Sequence, residues 1–336
     1  MKILKVSAFP TATHNSSGLH VLETSINSKD ITTILLKTNS GEFIGNYRKE
    51  NIYEVKTFYE ILKLINTIQP NIVSVHTYKY ILLPIILKVV GNKSKFIYTF
   101  HGEDKILYTS NFFTRKIIRF IYDEIVTLDF KLAQDYDLKF FPNGTCIPIK
   151  HKEKADSKMP KNKIRILFPA SFKEVKNHFN FIEFITDYSK KRDYFIEITF
   201  AGDGTLLKKC QDIAINRKNI KFNFKGNISH DELNKEYASC DLVVLPSFNE
   251  AFSKVWIEAI SHNKLLLVTK VGSITSILDE DYPFYIESSL HFEKTSLILD
   301  KAITDCRIFY YEKINLKTWK DITQEYEEFY SNILAD

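Results

Sequence analysis

No apolar run in this sequence approaches the roughly 18–20 residues that a helix needs to cross a bilayer. A chain built of spanning helices is thereby excluded. The opening segment Met1-Lys-Ile-Leu-Lys-Val-Ser-Ala8 is too short and too interrupted for a secretory leader, and it reads as a first strand. Cysteine is scarce: Cys146, Cys210, Cys240 and Cys306 stand far apart, with no C-x-x-C pair. That speaks against a disulfide framework or a zinc site, and the expected location is a reducing cytoplasm, including the inner face of a membrane. A large excess of one charge is lacking too. Lys and Arg number 46 against 41 Asp and Glu, a net +5. This is too mild to hold nucleic acid by charge alone. It suits an anionic small substrate or loose contact with an acidic membrane surface. There is no tandem repeat and no low-complexity tract.

What is present is alternation. The 336 residues, 44% hydrophobic and 26% charged, suit a globular protein of two domains. Apolar, β-branched runs at residues 2–8, 31–37, 72–76, 95–101 and 124–128 read as strands. Segments of helical period lie near residues 18–27, 57–68, 80–90 and 113–122. The pattern predicts α/β architecture with mostly parallel sheets. Residues 149–163 turn charged and polar and read as a solvated linker. A second alternation follows, with strands at 163–168, 195–201, 220–224, 242–245 and 265–268. Its helices are expected to begin near Asn177, Gly204, His230, Phe252 and Ser273. In the tail, Trp319, Ile322, Tyr326, Phe329, Tyr330 and Ile333 mark one face of a helix. Two doubly wound domains in series place ligands at the C-terminal ends of their strands, in a crevice where the strand order reverses.

The densest run of polar candidates is Leu245-Pro-Ser-Phe-Asn-Glu-Ala-Phe-Ser-Lys-Val-Trp-Ile-Glu-Ala-Ile260. A strand ends, a polar loop carries Ser247, Asn249 and Glu250, and a helix begins. Amide groups at a helix start attract anions. Glu258 follows about two turns on, and two carboxylates so spaced can meet two hydroxyls of one extended ligand. By spacing alone, Glu250 reads equally as a helix-start charge and Glu258 as a solvated helical residue.

This segment resembles the E-x7-E signature of the family four retaining glycosyltransferases, which have the GT-B fold. The words around it agree in order. Residues 221–247, Lys-Phe-Asn-Phe-Lys-Gly-Asn through Leu-Pro-Ser, look like the stretch leading into that signature. Phe200-Ala-Gly-Asp-Gly204 looks like the Gly-x-Gly loop, and Phe140-Phe-Pro-Asn-Gly144 like the words that close the N-domain. Trp319 and its helix look like the tail that returns to the first domain. The likeness covers almost the whole chain and is strongest over 167–277.

The resemblance implies two Rossmann-like domains facing a central cleft: 1–155 binding the acceptor and 156–312 binding the nucleotide sugar, with the helix 313–336 packing back on the first. It implies that Glu250 contacts hydroxyls of the transferred sugar and Glu258 the ribose. Gly226, Asn227, Ala251, Phe252 and Ser253 would lie along the donor. Ala251 and Ser253 stand where the family has glycines, so backbone donors survive but close approach is lost, and the loop is expected to hold the phosphates differently. In Phe168-Pro-Ala-Ser-Phe-Lys-Glu-Val-Lys-Asn-His178, Lys176 matches a family lysine on the diphosphate. The partnering arginine is replaced by Ser171, and Lys173 is taken as its substitute, without the bidentate fork.

Gly202 and Gly204 fail the dinucleotide pattern, since position 207 is Leu; they read as a tight turn or as a wall beside the donor. Gly18, at the end of the polar loop 13–18, resembles a family glycine near the phosphates and acceptor. His101, ending a buried strand with Glu103 beyond it, matches a family histidine near the sugar; His76 ends the preceding strand. The helix at 108–124 reads as a membrane-surface helix or, the preferred reading, as a sheet-covering helix with a basic outer face. Asp135-Tyr-Asp137 and Asp279-Glu-Asp281 spell D-x-D outside the right context, so no divalent metal is expected. The implied activity is metal-independent transfer of a hexose from a nucleotide diphosphate sugar. UDP is favoured over GDP as the nucleotide. The acceptor would be a glycan or lipid-linked group in surface polysaccharide or glycoconjugate synthesis, and no separate cofactor is implied. An epimerase, a phosphorylase or a non-catalytic sugar-nucleotide-binding subunit would use the same architecture.

Overall fold

The computed structural model describes residues 1–7, 17–26, 28, 32–37, 52–55, 57–102, 105–145, 162–306, 311, 314 and 316–335. The 149–161 part of the expected linker, residues 13–16 of the first polar loop, and Glu103 lie outside them. Contacts divide the chain into two units, Met1–Cys146 with Lys317–Asp336, and Ile147–Leu316.

In the first unit, seven strands are β1 (Lys2–Ser7), β2 (Thr32–Lys37), β3 (Ile52–Glu54), β4 (Ile72–Val75), β5 (Lys95–Phe100), β6 (Glu124–Thr127) and β7 (Lys139–Phe140). They form one parallel sheet in the order β3-β2-β1-β4-β5-β6-β7. Parallel neighbours require crossovers, which the helices supply. These are α1 (Ser17–Ile26), α2 (Phe58–Ile68), α3 (Leu83–Val89), α4 (Lys105–Thr109), α5 (Phe112–Ile121) and α6 (Phe130–Tyr136). Alternation along each strand sends side chains to opposite faces. Leu4, Val6, Val73, Val75, Phe96 and Tyr98 pack with Ile61 and Ile65 of α2, Leu83 and Leu87 of α3, Tyr108 of α4 and Ile118 and Ile121 of α5. Ile3, Ile72, Ile97 and Val126 face the other way. They are covered by Ile322, Tyr326, Phe329, Tyr330 and Ile333, from the tail helix α12 (Trp319–Ala335).

The second unit repeats the plan with β8 (Lys163–Phe168), β9 (Phe195–Phe200), β10 (Ile220–Phe224), β11 (Leu242–Leu245), β12 (Leu265–Thr269) and β13 (Tyr285–Ile286). The sheet is parallel, in the order β10-β9-β8-β11-β12-β13. Its helices are α7 (His178–Ser189), α8 (Leu207–Ile213), α9 (His230–Ser239), α10 (Lys254–Ser261) and α11 (Phe292–Asp305). Both sheets are thus doubly wound, and in both the order reverses beside the first strand. Among the described residues no helix is long and apolar enough to cross a membrane. Cys210, Cys240 and Cys306 are buried thiols outside any disulfide.

Several expectations are corrected. The helix expected at Ser273 is a single 3-10 turn, Ile274–Ser276. The helices expected near Gly204 and Phe252 begin at Leu207 and Lys254. Gly18 is the second residue of α1 rather than part of a preceding loop. The outer face of α5 is not merely basic: Phe112, Phe113, Ile117 and Phe120 are exposed on it.

Candidate functional site

The order of the second sheet reverses between β8 and β11, the position at which such sheets bind ligands outside their strand ends. The loop after β8 is held by aromatic packing. The His178 ring is stacked between Phe168 and Phe172, with centroids 4.1 Å from each. Burial pushes its imidazole down to about 3, so it stays neutral. Asn177 adopts a left-handed conformation, φ 64°, and its Nδ2 donates to the carbonyls of Pro246 (3.0 Å) and Ser288 (2.8 Å). The Phe248 amide donates to the Val175 carbonyl at 2.8 Å. These bonds tie the loop after β8 to the loop after β11.

Across this seam Lys176 Nζ donates to Glu250 Oε1 at 2.5 Å. Ser247 Oγ donates to the same oxygen at 2.8 Å, and the Ser247 carbonyl accepts from Thr269 Oγ1 at 2.6 Å. The loops after β8 and β11 therefore converge on one carboxylate, and the end of β12 braces the second of them. Beneath it lies Gly272, φ 59°, where an added Cβ would sit 2.1 Å from the Glu250 carbonyl oxygen. The next residue, Ser273, donates its amide to the Ala251 carbonyl at 2.8 Å.

Ala251, Phe252 and Ser253 are buried. Neither Ala251 nor Ser253 has a positive φ, and Ser253, at −82°, is the extended residue that opens α10. The glycines expected there are not demanded by the backbone; the tight contact in this loop is between Gly272 and the Glu250 and Ala251 carbonyls. The Ser253 side chain makes no capping bond, and no acid lies in the first turn of α10. Glu258, on α10, accepts from the Tyr237 hydroxyl of α9 at 2.9 Å. Burial raises its carboxyl, opposed by that hydrogen bond and by the charges of Lys254 and His230.

Gly202, φ 151°, lies against the loop after β8: a Cβ there would meet the Ala170 carbonyl oxygen at 2.2 Å. Its amide donates to the Gly226 carbonyl at 2.8 Å. Gly204 approaches the Phe172 backbone. Asn227 and Lys173 are exposed, and Lys173 opens the 3-10 turn Glu174–Lys176. The structure thus joins Lys176 to Glu250 directly and Gly202 to Gly226. Lys173 meets the pair only through its backbone, its carbonyl accepting from the Lys176 amide at 3.0 Å.

In the first unit the order reverses between β1 and β4. His76 follows β4; its Nε2 lies 2.9 Å from Ser74 Oγ and its Nδ1 2.9 Å from His101 Nε2. Burial, then the charges of His101, Lys5 and His20, holds the His76 imidazole well below its usual value. His20, on α1, bonds Asn143 Oδ1 at 3.0 Å and the Tyr326 hydroxyl at 3.1 Å. Its ring meets those of His101 and Trp319 edge-on at 5.6 Å. Lys5 is buried in β1, donating to Thr24 Oγ1 and Ser25 Oγ, and burial lowers its ammonium to about 7. Lys5 and His20 escape a reading of the sequence, as do the bonds that Asn143 and Tyr326 make to His20 and the parts played by Thr269, Gly272 and Tyr237 around Glu250 and Glu258. A lysine amid the apolar residues of β1 is the one local signal.

Two family models match the chain: "Glycosyl transferases group 1" over residues 149–305 and "Glycosyl transferase 4-like" over residues 12–131. The GPI3 subunit of phosphatidylinositol N-acetylglucosaminyltransferase from Saccharomyces cerevisiae is 26% identical over 146 residues, 41% of this chain and 32% of that protein. Sulfoquinovosyl transferase SQD2 of Arabidopsis thaliana is 32% identical over 84 residues, 25% of this chain and 16% of that protein. The matched parts are about a third or less of these relatives' length. Among solved structures, Anabaena Alr3699/HepE in complex with UDP and glucose superposes with a TM-score of 0.70. It is 15% identical, covering 99% of this chain and 100% of that one. Sucrose-phosphate synthase from Thermosynechococcus elongatus gives 0.71 at 11% identity, covering 99% of each. The shared architecture is the GT-B fold.

Proposed function

Given that the chain belongs to the group 1 glycosyl transferases, we propose that it cleaves the bond between the anomeric carbon of a nucleotide diphosphate sugar and its phosphate, and transfers a hexose with retention of configuration. Negative charge grows on the leaving diphosphate while the sugar becomes oxocarbenium-like. Fixed cations and amide dipoles aimed at the phosphate stabilise that state. In this reading Lys176 and the amides that begin α10 take this role, and no divalent metal is invoked. Lys173 adds charge at the rim, and Gly202, Gly204, Gly226 and Asn227 wall the neighbouring loop. Glu250, oriented by Lys176 and Ser247, accepts hydrogen bonds from sugar hydroxyls. Glu258 accepts one from the ribose, and its Tyr237 bond sets the carboxylate's orientation. On the family resemblance, His101, whose ring is bonded by His76, is assigned to the sugar and Gly18 to the phosphates and acceptor.

The observation that carries this reading is the Lys176–Glu250 pair across the reversal point of the second sheet. The UDP and glucose bound by the Anabaena protein favour a UDP-hexose donor. Relatives named for phosphatidylinositol favour a lipid-linked acceptor. The test is calorimetric titration with UDP alongside a transfer assay on nucleotide sugars. Lys176→Gln should weaken UDP about tenfold or more, the loss of one charge-assisted bond of ~1.5–3 kcal/mol. Glu250→Gln should keep UDP affinity within a few-fold and lose transfer by about a hundredfold or more. Undiminished UDP binding by Lys176→Gln protein, or binding of neither UDP nor GDP by the parent chain, sinks the reading.

A further inference from the structure

The helices α3, α4 and α5 cover one face of the first sheet and lie side by side. Lys88 Nζ of α3 donates to the Ile121 carbonyl of α5, and the Tyr122 hydroxyl donates to the Ile81 carbonyl, both at 2.8 Å. Arg119 Nε of α5 donates to the Tyr108 hydroxyl of α4 at 2.6 Å. Their inward residues complete the core, so their outward residues should be polar. They are not: Val89 (81% exposed), Ile106, Phe113 (72%), Ile117 and Phe120 (87%) all stand in solvent. Single exposed apolar side chains are ordinary, but a continuous field of them marks an interaction surface.

The charge around this field identifies the occupant. Residues 78–95 contain four lysines and no acid. Residues 105–122 contain Lys105, Arg115, Lys116 and Arg119, again with no acid. Cations ride on the aromatic rings: the Lys116 ammonium lies 4.7 Å from the Phe112 centroid and the Arg115 guanidinium 5.5 Å from it. A two-fold dimer would set this patch against itself and bring acid-free cationic segments face to face. Apolar rings to insert, with cations at their edge to meet headgroups, are what an anionic lipid surface accepts. We propose that the α3–α4–α5 face of the first unit docks on an anionic bilayer, with Phe113 and Phe120 entering the acyl boundary and Arg115 and Lys116 meeting lipid phosphates. The inference goes beyond the donor chemistry and does not depend on it, because the assay below reads no turnover.

The test is flotation of the full chain with vesicles of equimolar phosphatidylcholine and phosphatidylglycerol, against vesicles of phosphatidylcholine alone. The chain should float with the anionic vesicles, less so as salt is raised. F113S/F120S should reduce binding about tenfold or more and leave the melting temperature unchanged, since both side chains are exposed. R115Q/K116Q should abolish the preference for anionic lipid. Leu297→Ser, an exposed residue of α11 in the second unit, should float like the parent. Failure of the parent to float, or equal flotation by parent and F113S/F120S, overturns the proposal. So does a soluble dimer, or a complex with an acidic protein, that the double substitution dissolves and vesicles do not compete for.

Discussion

Among the described residues, nineteen large apolar side chains are exposed. Twelve lie within residues 78–120 of the first unit, and three, Ile215, Phe248 and Leu297, in the second. The two units share one plan, with parallel sheets whose order reverses beside β1 and beside β8. They differ in what they do with it. At its reversal point the second unit locks a charged pair, Lys176 and Glu250, between short backbone-to-backbone and side-chain bonds. The first unit gathers His20, His76 and His101 around a buried lysine, and turns an apolar, cationic face outward on α3–α5. One architecture thus supports a rigid ion-paired site in one copy, and a buried polar cluster with a docking surface in the other. Loops and helix exteriors decide the role, while the sheet only positions them.

The largest effect should come from attacking the second unit's rigidity through its backbone. Gly272→Val forces a side chain against the Glu250 carbonyl at a positive φ, and should cost about 3 kcal/mol or more in urea unfolding. Gly226→Ala, also at positive φ but with open space around it, should cost only about 1 kcal/mol. Equal costs for the two would show that the contact under Glu250 is not the constraint.

Next in size is a pH dependence that both units share. His178 is held at about 3 and His76 well below 6.5 in the folded chain. Between those values and 6.5 the unfolded chain binds the extra proton, so stability falls as pH falls through that window. The slope should approach 1.4 kcal/mol per pH unit for each histidine. His178→Phe, filling the same stack between Phe168 and Phe172, should flatten its share of the slope in denaturation series from pH 7 to pH 4. An unchanged slope would place the dependence elsewhere.

The smallest effect separates the first unit's cluster from the second unit's pair. Lys5→Met removes a buried ammonium whose partners Thr24 and Ser25 keep backbone acceptors on α1. It should raise the melting temperature, by the equivalent of about 1 kcal/mol at pH 7. With the folded value at about 7 against 10.5 unfolded, the parent gains stability as pH rises through that interval, and the advantage of Lys5→Met should shrink toward pH 10. Lys176→Met offers no such gain, because it leaves the half-buried Glu250 carboxylate without its cation.

Much of the fold is legible in the sequence because strands of four to six apolar residues and the α12 face carry their own period. Three-residue β3 and two-residue β7 and β13 are too short to show one. Helix α11 hides for a different reason: it buries Thr295, Ser296, Leu299 and Ala302, a stripe with only two apolar residues. At the candidate site, Glu250, Glu258 and Lys176 are visible as charges at fixed offsets from strand ends. What holds them is not visible, because the bonds join distant segments. Thr269 reaches back 22 positions to Ser247, Asn177 forward 111 to Ser288, and His20 across 306 to Tyr326. The apolar outer face of α5 is not legible, because helical period separates inside from outside only when the outside is polar.

The tail helix carries a consequence for biosynthesis. Ile3, Ile72, Ile97 and Val126 are covered by α12 residues, which the ribosome makes after the whole of the second unit. During translation the first sheet waits with one apolar side bare while its neighbour emerges and condenses. Maturation therefore runs out of chain order: the later-made half can close first, and the earlier-made half finishes only when α12 leaves the exit tunnel.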